Sequence, residues 1–156
     1  MTIPQVIDYD TNIVNEFFMK GINMFKLIAT LALLGHGIGH LIGVSAAWTP
    51  IKMGFTDQPW IFSPGININS GLGRVFGLVW LLAMLTTIGA GFGLYFRQEW
   101  WLSLTIGSAL ISLLAVIAWF RAFPSGANMG ALGFDILILI GLLGPWSERI
   151  IQTLQI

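Results

Sequence analysis

The sequence predicts an all-α integral membrane protein, a four-helix bundle with a short amphipathic surface helix at its N-terminus. Charged residues make up 9% of the 156-residue chain and apolar residues 56%, whereas an ordinary soluble domain has about 25% charged residues. A soluble domain of this size would need many more polar residues to cover its surface. The mean hydropathy of +0.83 agrees with this. By length, residues 1–156 are predicted to form a single transmembrane domain.

Four apolar stretches are predicted to span the bilayer. They cover approximately residues 24–48, 71–96, 100–120 and 128–144. A helix needs about 20 apolar residues to cross a hydrocarbon core of ~30 Å, and each stretch approaches or exceeds that length. The chain has seven Trp, and most lie at the predicted boundaries, which is typical of anchors at the membrane–water interface. The turn at 97–99 is very short, so the second and third spans are predicted to be antiparallel neighbours.

The two ends of the chain are predicted to lie on the same side of the membrane. Asn12 to Met19 has the pattern of an amphipathic helix on the membrane surface, and the tail from Ser147 is predicted to lie on the surface too. Four Lys/Arg fall on the side of the termini and three on the other, which favours cytoplasmic termini. The two groups are Lys20, Lys26, Arg97 and Arg149, against Lys52, Arg74 and Arg121.

Polar side chains within the predicted spans define a candidate site. The chain has two histidines, His36 and His40, four residues apart in the first span and therefore on nearly the same helix face. At 1.5 Å per residue, His40 and Asp135 both lie roughly 10 Å from the same membrane side. Arg74 lies in that half of the bilayer as well. An aspartate alone in hydrocarbon costs about 2.5–3.5 kcal/mol. We therefore expect Asp135 to form a hydrogen bond with His40, with Arg74 nearby.

Several chemical interpretations of this cluster stay open. Histidine beside a carboxylate can bind or relay a proton near neutral pH. His36 and His40 could hold a transition metal ion with Asp135 as a third ligand. One of them could be an axial ligand of haem, with the second axial ligand from another subunit. In the structural alternative, His36, His40 and Asp135 form hydrogen bonds between helices and fix their register. Ser108 and Ser112 are interpreted as packing residues or as hydroxyls bonded to their own helix.

Glycines at four-residue intervals are predicted to mediate close helix packing. Gly35, Gly39 and Gly43 follow this spacing in the first span, and small residues at such intervals let another helix approach. The approaching helix is either a neighbour within the bundle or part of a second copy or another membrane subunit.

Other functional classes find little support in the sequence. Seven Lys/Arg balance seven Asp/Glu, so there is no basic field for nucleic acid. There is no cysteine, which excludes thiolate metal sites and thiol redox chemistry. No Gly-x-Ser-x-Gly elbow and no nucleotide-binding glycine motif occurs. An enzymatic activity is therefore not favoured.

The segment Leu34-Gly35-His36-Gly37-Ile38-Gly39-His40-Leu41-Ile42-Gly43, with the later Gly133-Phe134-Asp135, resembles small bacterial four-span membrane proteins of DoxX-like layout. These carry a His-Gly-x-x-His signature in the first helix and an Asp in the last. The resemblance implies a four-helix bundle with no established activity, in a prokaryotic inner or plasma membrane. Our leading hypothesis is a non-catalytic accessory or ligand-binding subunit of a larger membrane assembly. The alternatives are a metal- or haem-binding redox protein and a small proton-coupled transporter.

Overall fold

The computed structural model describes residues 9–124 and 126–155, with side chains at residue 21 and from residue 24 onward. This part of the chain contains helices and no strands. The helices are α1 (Tyr9–Gly39), α2 (Leu41–Trp48), α3 (Gly71–Tyr95), α4 (Trp101–Ala118), α5 (Ala127–Leu143) and α6 (Ser147–Gln155). The predicted all-α fold is confirmed.

Three to four candidate membrane spans are present among the described residues. Met24–Trp48, Gly71–Tyr95 and Trp101–Ala118 are each long and apolar enough to cross a bilayer. α5 has 17 residues, about 26 Å at 1.5 Å per residue, and it qualifies as a fourth span together with α6. The two helices are bent by 94° at the break between them. The apolar faces of these helices are surrounded by lipid.

The start of the chain differs from the sequence-based expectation in one respect. Asn12 to Met19 does not form a separate helix, because α1 runs without a break from Tyr9 to Gly39. The side chains of this segment lie outside the described residues, so its position on the membrane surface stays a prediction. The first span is instead interrupted at His40, where the backbone N–H donates to Gly37 O at 3.1 Å. Such an i to i−3 bond is the tighter turn of a 3₁₀ helix.

The helices pack in the order α1, α3, α4, α5. α3 packs against α1, α2 and α4, and α5 packs against α4. The predicted antiparallel pairing across the short turn is present as α3 and α4. α6 contacts both α1 and α5. Within the described residues α1 and α5 are not among the pairs that pack extensively, which leaves a seam between them. We refer to this gap as the α1–α5 seam.

Two apolar clusters fill the two ends of the bundle. The first includes Trp80, Trp119 and Phe123 together with Phe55 and Ile68 from the loop after α2. This loop is tied to the end of α4 by backbone hydrogen bonds, from Thr56 N–H to Ala122 O at 2.9 Å and from Ile61 N–H to Ala118 O at 3.0 Å. The second cluster consists of Leu33, Leu94, Trp101, Leu142 and Leu154. His36, His40, Ser112 and Asp135 lie along their helices between the two clusters.

The glycines of the first span face in different directions. A Cβ added at Gly43 would collide with the indole ring of Trp80, and one added at Gly37 would come within 2.7 Å of Ile88 Cγ1. Both glycines therefore allow α3 to approach closely. Gly35 and Gly39 have no atom within 4 Å of an added Cβ, and both lie on the exposed surface. Of the three glycines predicted to mediate packing, Gly43 lies inside the bundle and the other two face outward.

We expect Gly43→Ala and Gly35→Ala to change stability in opposite directions. At Gly43 the new methyl group overpacks a site next to a fully buried indole, which costs about 1–3 kcal/mol. At Gly35 the methyl group meets open space, and replacing a helical glycine adds roughly 0.5–1 kcal/mol of stability. Unfolding of both variants in mixed detergent–SDS micelles measures the difference. Equal effects would contradict the packing described for Gly43.

Candidate intramembrane polar site

Asp135 is the centre of the polar site. Its relative exposure is 0%, and it lies in the middle of α5. Asp135 Oδ1 is 2.9 Å from His36 Nε2 on α1, and Oδ2 accepts a hydrogen bond of 2.5 Å from Ser112 Oγ on α4. Both carboxyl oxygens are thus bonded, each to a different helix. The group that is most costly to bury in this bundle has the partners that its burial requires.

The hydroxyl groups of α4 explain why Ser112 belongs to this site. Thr105, Ser108 and Ser112 are all buried and recur at helical spacing, so they lie along one face. Thr105 Oγ1 donates to Trp101 O at 2.7 Å and Ser108 Oγ to Thr105 O at 2.9 Å. Both hydroxyls are bonded to their own helix, and for Ser108 this agrees with the prediction. Ser112 differs, because its hydroxyl points across to Asp135 on the neighbouring helix.

His40 is close to this group but does not bond to Asp135. Its ring lies edge-on to that of His36, with ring centroids 4.8 Å apart. It is 4% exposed, and its Nε2 has no hydrogen-bond partner among the described residues. The expected Asp135–His40 bond is replaced by Asp135–His36. Counting residues from span ends treats helices as straight and parallel, and it cannot resolve a single helical turn of 5.4 Å.

Arg74 lies apart from the site. It is in the first turn of α3 and is exposed. Asp135 is bonded to His36 and Ser112, and the Arg74 guanidinium is not among its partners. Its backbone carbonyl instead accepts a hydrogen bond of 3.1 Å from Trp48 Nε1. A residue near the end of a span is close to the membrane–water interface, and long basic side chains commonly extend towards that interface.

The arrangement forms a continuous line of polar groups from Ser112 through Asp135 and His36 to His40. When His36 carries a proton on Nε2, it donates to the carboxylate. The Phe134 ring covers His36, with centroids 4.4 Å apart. The described residues contain no group of three or more His, Cys, Asp or Glu positioned to hold a metal ion. What the line can do chemically is hold a proton and share it between a carboxylate and an imidazole.

The sequence-based interpretation of Ser112 as a packing residue or a hydroxyl bonded to its own helix was wrong, because this hydroxyl donates to Asp135. The sequence analysis also chose the wrong histidine as the partner of Asp135. Ser112 could have been identified by its position in the α4 stripe, since a hydroxyl in the middle of a span faces either its own backbone or a polar neighbour. Whether the Ser112 hydroxyl bonds to its own backbone or to a neighbour depends on which residue of α5 lies opposite it. The sequence does not give this, because it follows from how α4 packs on α5.

We expect Ser112→Ala to destabilise the fold by about 1–3 kcal/mol, because one oxygen of a buried carboxyl group loses its donor. Ser103→Ala is the matched control, since Ser103 lies on the same helix but is exposed. Equilibrium unfolding in mixed micelles would compare the two variants with the unmodified protein. Equal stability of the Ser112 and Ser103 variants would show that the Ser112–Asp135 bond contributes nothing.

These residues characterise a small polytopic helical membrane protein with a buried His36–Asp135 pair. No protein-family model, curated protein or solved structure matches the chain. The geometry of the pair is the basis for assigning it a role.

Proposed function

We propose that this protein binds and releases a proton at His36 and Asp135, and that it does so as a non-catalytic subunit of a larger membrane assembly. One observation carries the proposal. A fully buried carboxyl group has both oxygens bonded, one to an imidazole and one to a hydroxyl. A carboxyl group inside a membrane protein is a candidate functional site by default, because leaving it in place is costly.

A second imidazole, that of His40, lies beside the pair. It is also buried, and its Nε2 has no hydrogen-bond partner among the described residues. Because burying an unpaired charge is costly, we place the proton on the His36–Asp135 pair and not on His40. Histidine is the side chain that ordinarily titrates between about pH 5 and 8. A small proton-coupled transporter would use the same residues.

Binding of a metal ion or haem by His36 and His40 receives less support. His36 and His40 are the two histidines of the chain, and a typical zinc site has at least three protein ligands. The described residues contain no group of three or more His, Cys, Asp or Glu placed to hold a metal ion. We therefore place proton binding before metal or haem binding.

The accessory role is supported by the outward-facing glycines. Gly35 and Gly39 leave open space on the lipid side of α1, next to Ile38, which is 57% exposed. A helix from a second copy or another membrane subunit can approach closely over such a surface. The DoxX-like layout, the prokaryotic inner or plasma membrane and the cytoplasmic termini remain predictions within this proposal.

Nitrogen-15 NMR of histidine-labelled protein in liposomes tests proton binding directly, because both histidines of the chain belong to the site. We expect the ring-nitrogen signals of His36 to change with pH as the pair takes up a proton. Asp135→Asn preserves the shape of the side chain and removes its charge, so it should alter the pH response of His36. Asp57→Asn, at an exposed ion pair outside the spans, should leave the response unchanged. Ring-nitrogen signals that do not change with pH in the unmodified protein would contradict proton binding. They would show that the His36–Asp135 pair only holds α1 and α5 together.

A double variant, Gly35→Leu with Gly39→Leu, tests the accessory role. A Cβ added at either position meets no atom within 4 Å, so the fold should be retained while a partner helix is held away. We expect the native assembly, measured by its mass after extraction in mild detergent, to become smaller by the lost subunits. Val75→Phe at an exposed position of α3 is the control. A protein that is extracted as a lone monomer before any substitution would contradict this role.

A further inference from the structure

We propose that the α1–α5 seam binds one acyl chain of a membrane phospholipid. A cavity of about 370 Å³ lies in this seam, bounded by α1, α4, α5 and α6. Small-molecule sites in proteins commonly have volumes of about 300–1,000 Å³. The inference depends on the fold and not on proton binding, so it goes beyond the proposed function.

The lining of the cavity selects a hydrocarbon occupant. Its walls are apolar, with Ala29 and Leu33 on α1, Leu137 and Gly141 on α5, and Ile150 and Leu154 on α6. Thr105 is the hydroxyl-bearing residue of the lining, and its Oγ1 is bonded to Trp101 O at 2.7 Å. The indole nitrogen of Trp101, another lining residue, has no hydrogen-bond partner among the described residues, but it is itself buried. Water does not occupy apolar cavities stably, and the surface of this cavity offers little to a polar head group. The cavity therefore suits a chain without polar atoms.

The cavity is continuous with the lipid-facing surface of the protein. Phe25 and Leu137 line it from opposite helices, and they are also 45% and 69% exposed. Both residues belong to helices that face the bilayer, so the cavity opens sideways into the hydrocarbon. A lipid chain can enter it without leaving its own leaflet. A second copy of a helix cannot, because a helix with side chains is about 10–12 Å wide.

The length of the cavity corresponds to one leaflet. Its lining runs from Phe25 to Leu33 on α1 and from Phe134 to Leu142 on α5. Eight residues of helix rise about 12 Å, and half of a ~30 Å hydrocarbon core is about 15 Å. α6 contributes to the lining at the interfacial end, and Phe134 lies at the inner end beside His36. An acyl chain that starts at the interface near α6 therefore ends at the level of the polar site.

A photo-crosslinking experiment tests this assignment. The protein is reconstituted in phosphatidylcholine liposomes that contain a small fraction of phosphatidylcholine with a diazirine in the middle of one acyl chain. After illumination, the modified peptides are identified by mass spectrometry. We expect adducts concentrated on residues 25–33 and 134–142.

Two substitutions fill the cavity and should reduce these adducts several-fold. They are Gly141→Leu, where an added Cβ meets only Ile150 at an ordinary 3.6 Å, and Ala29→Phe from the opposite wall. Gly130→Leu is the matched control, because Gly130 lies on the same helix with open space around it and does not line the cavity. Its adducts should equal those of the unmodified protein.

Three results would overturn the assignment. Adducts spread evenly over all lipid-facing helices, or unchanged in both cavity-filling variants, would show that the seam holds no particular chain. Labelling by a free diazirine fatty acid without labelling by the phospholipid would exclude a phospholipid source. Asp135→Asn separates this assignment from the proposed function, because it should alter the pH response of His36 without reducing the adducts.

Discussion

The hydrogen bond between His36 and Asp135 closes the bundle. α1 packs on α3 and α5 packs on α4, so this side-chain contact, together with α6, connects the two ends of the helix row. Between transmembrane helices the lipid offers no hydrophobic driving force for association, and interhelical hydrogen bonds contribute roughly 0.6–2 kcal/mol each. A free energy of this magnitude is significant for holding α1 and α5 together, because these two helices have little direct packing. Ser112 secures the second oxygen of Asp135 from α4, and the carboxyl group thereby joins three helices.

Much of the architecture could be predicted from composition and residue order. The low charge content and four apolar stretches identify the membrane helices, because hydropathy and length are properties of the chain itself. Residue counting also placed Asp135 within one turn of its histidine partner. The choice of His36 over His40 could not be predicted, since it depends on how the helices tilt and on the turn at His40. Arg74 was grouped with them by depth alone, and depth does not specify which way a side chain faces.

The glycines illustrate the same limit for packing. Residues four apart on an α-helix are rotated by about 40° from each other, so the row Gly35, Gly39 and Gly43 drifts around the helix. The tighter turn at His40 adds to this rotation, because a 3₁₀ turn has about 3.0 residues per turn instead of about 3.6. As a result Gly43 lies beneath Trp80 while the first two face outward. A spacing pattern identifies small residues that can pack, and the tertiary fold determines which of them do.

Phe134 contacts both the polar site and the cavity in the α1–α5 seam. Its ring covers His36 at a centroid distance of 4.4 Å, and the same residue lines the inner end of the cavity in the seam. A side chain held between two sites cannot change rotamer for one without altering the surroundings of the other. The packing around His36 is therefore coupled, through this one ring, to whatever occupies the α1–α5 seam.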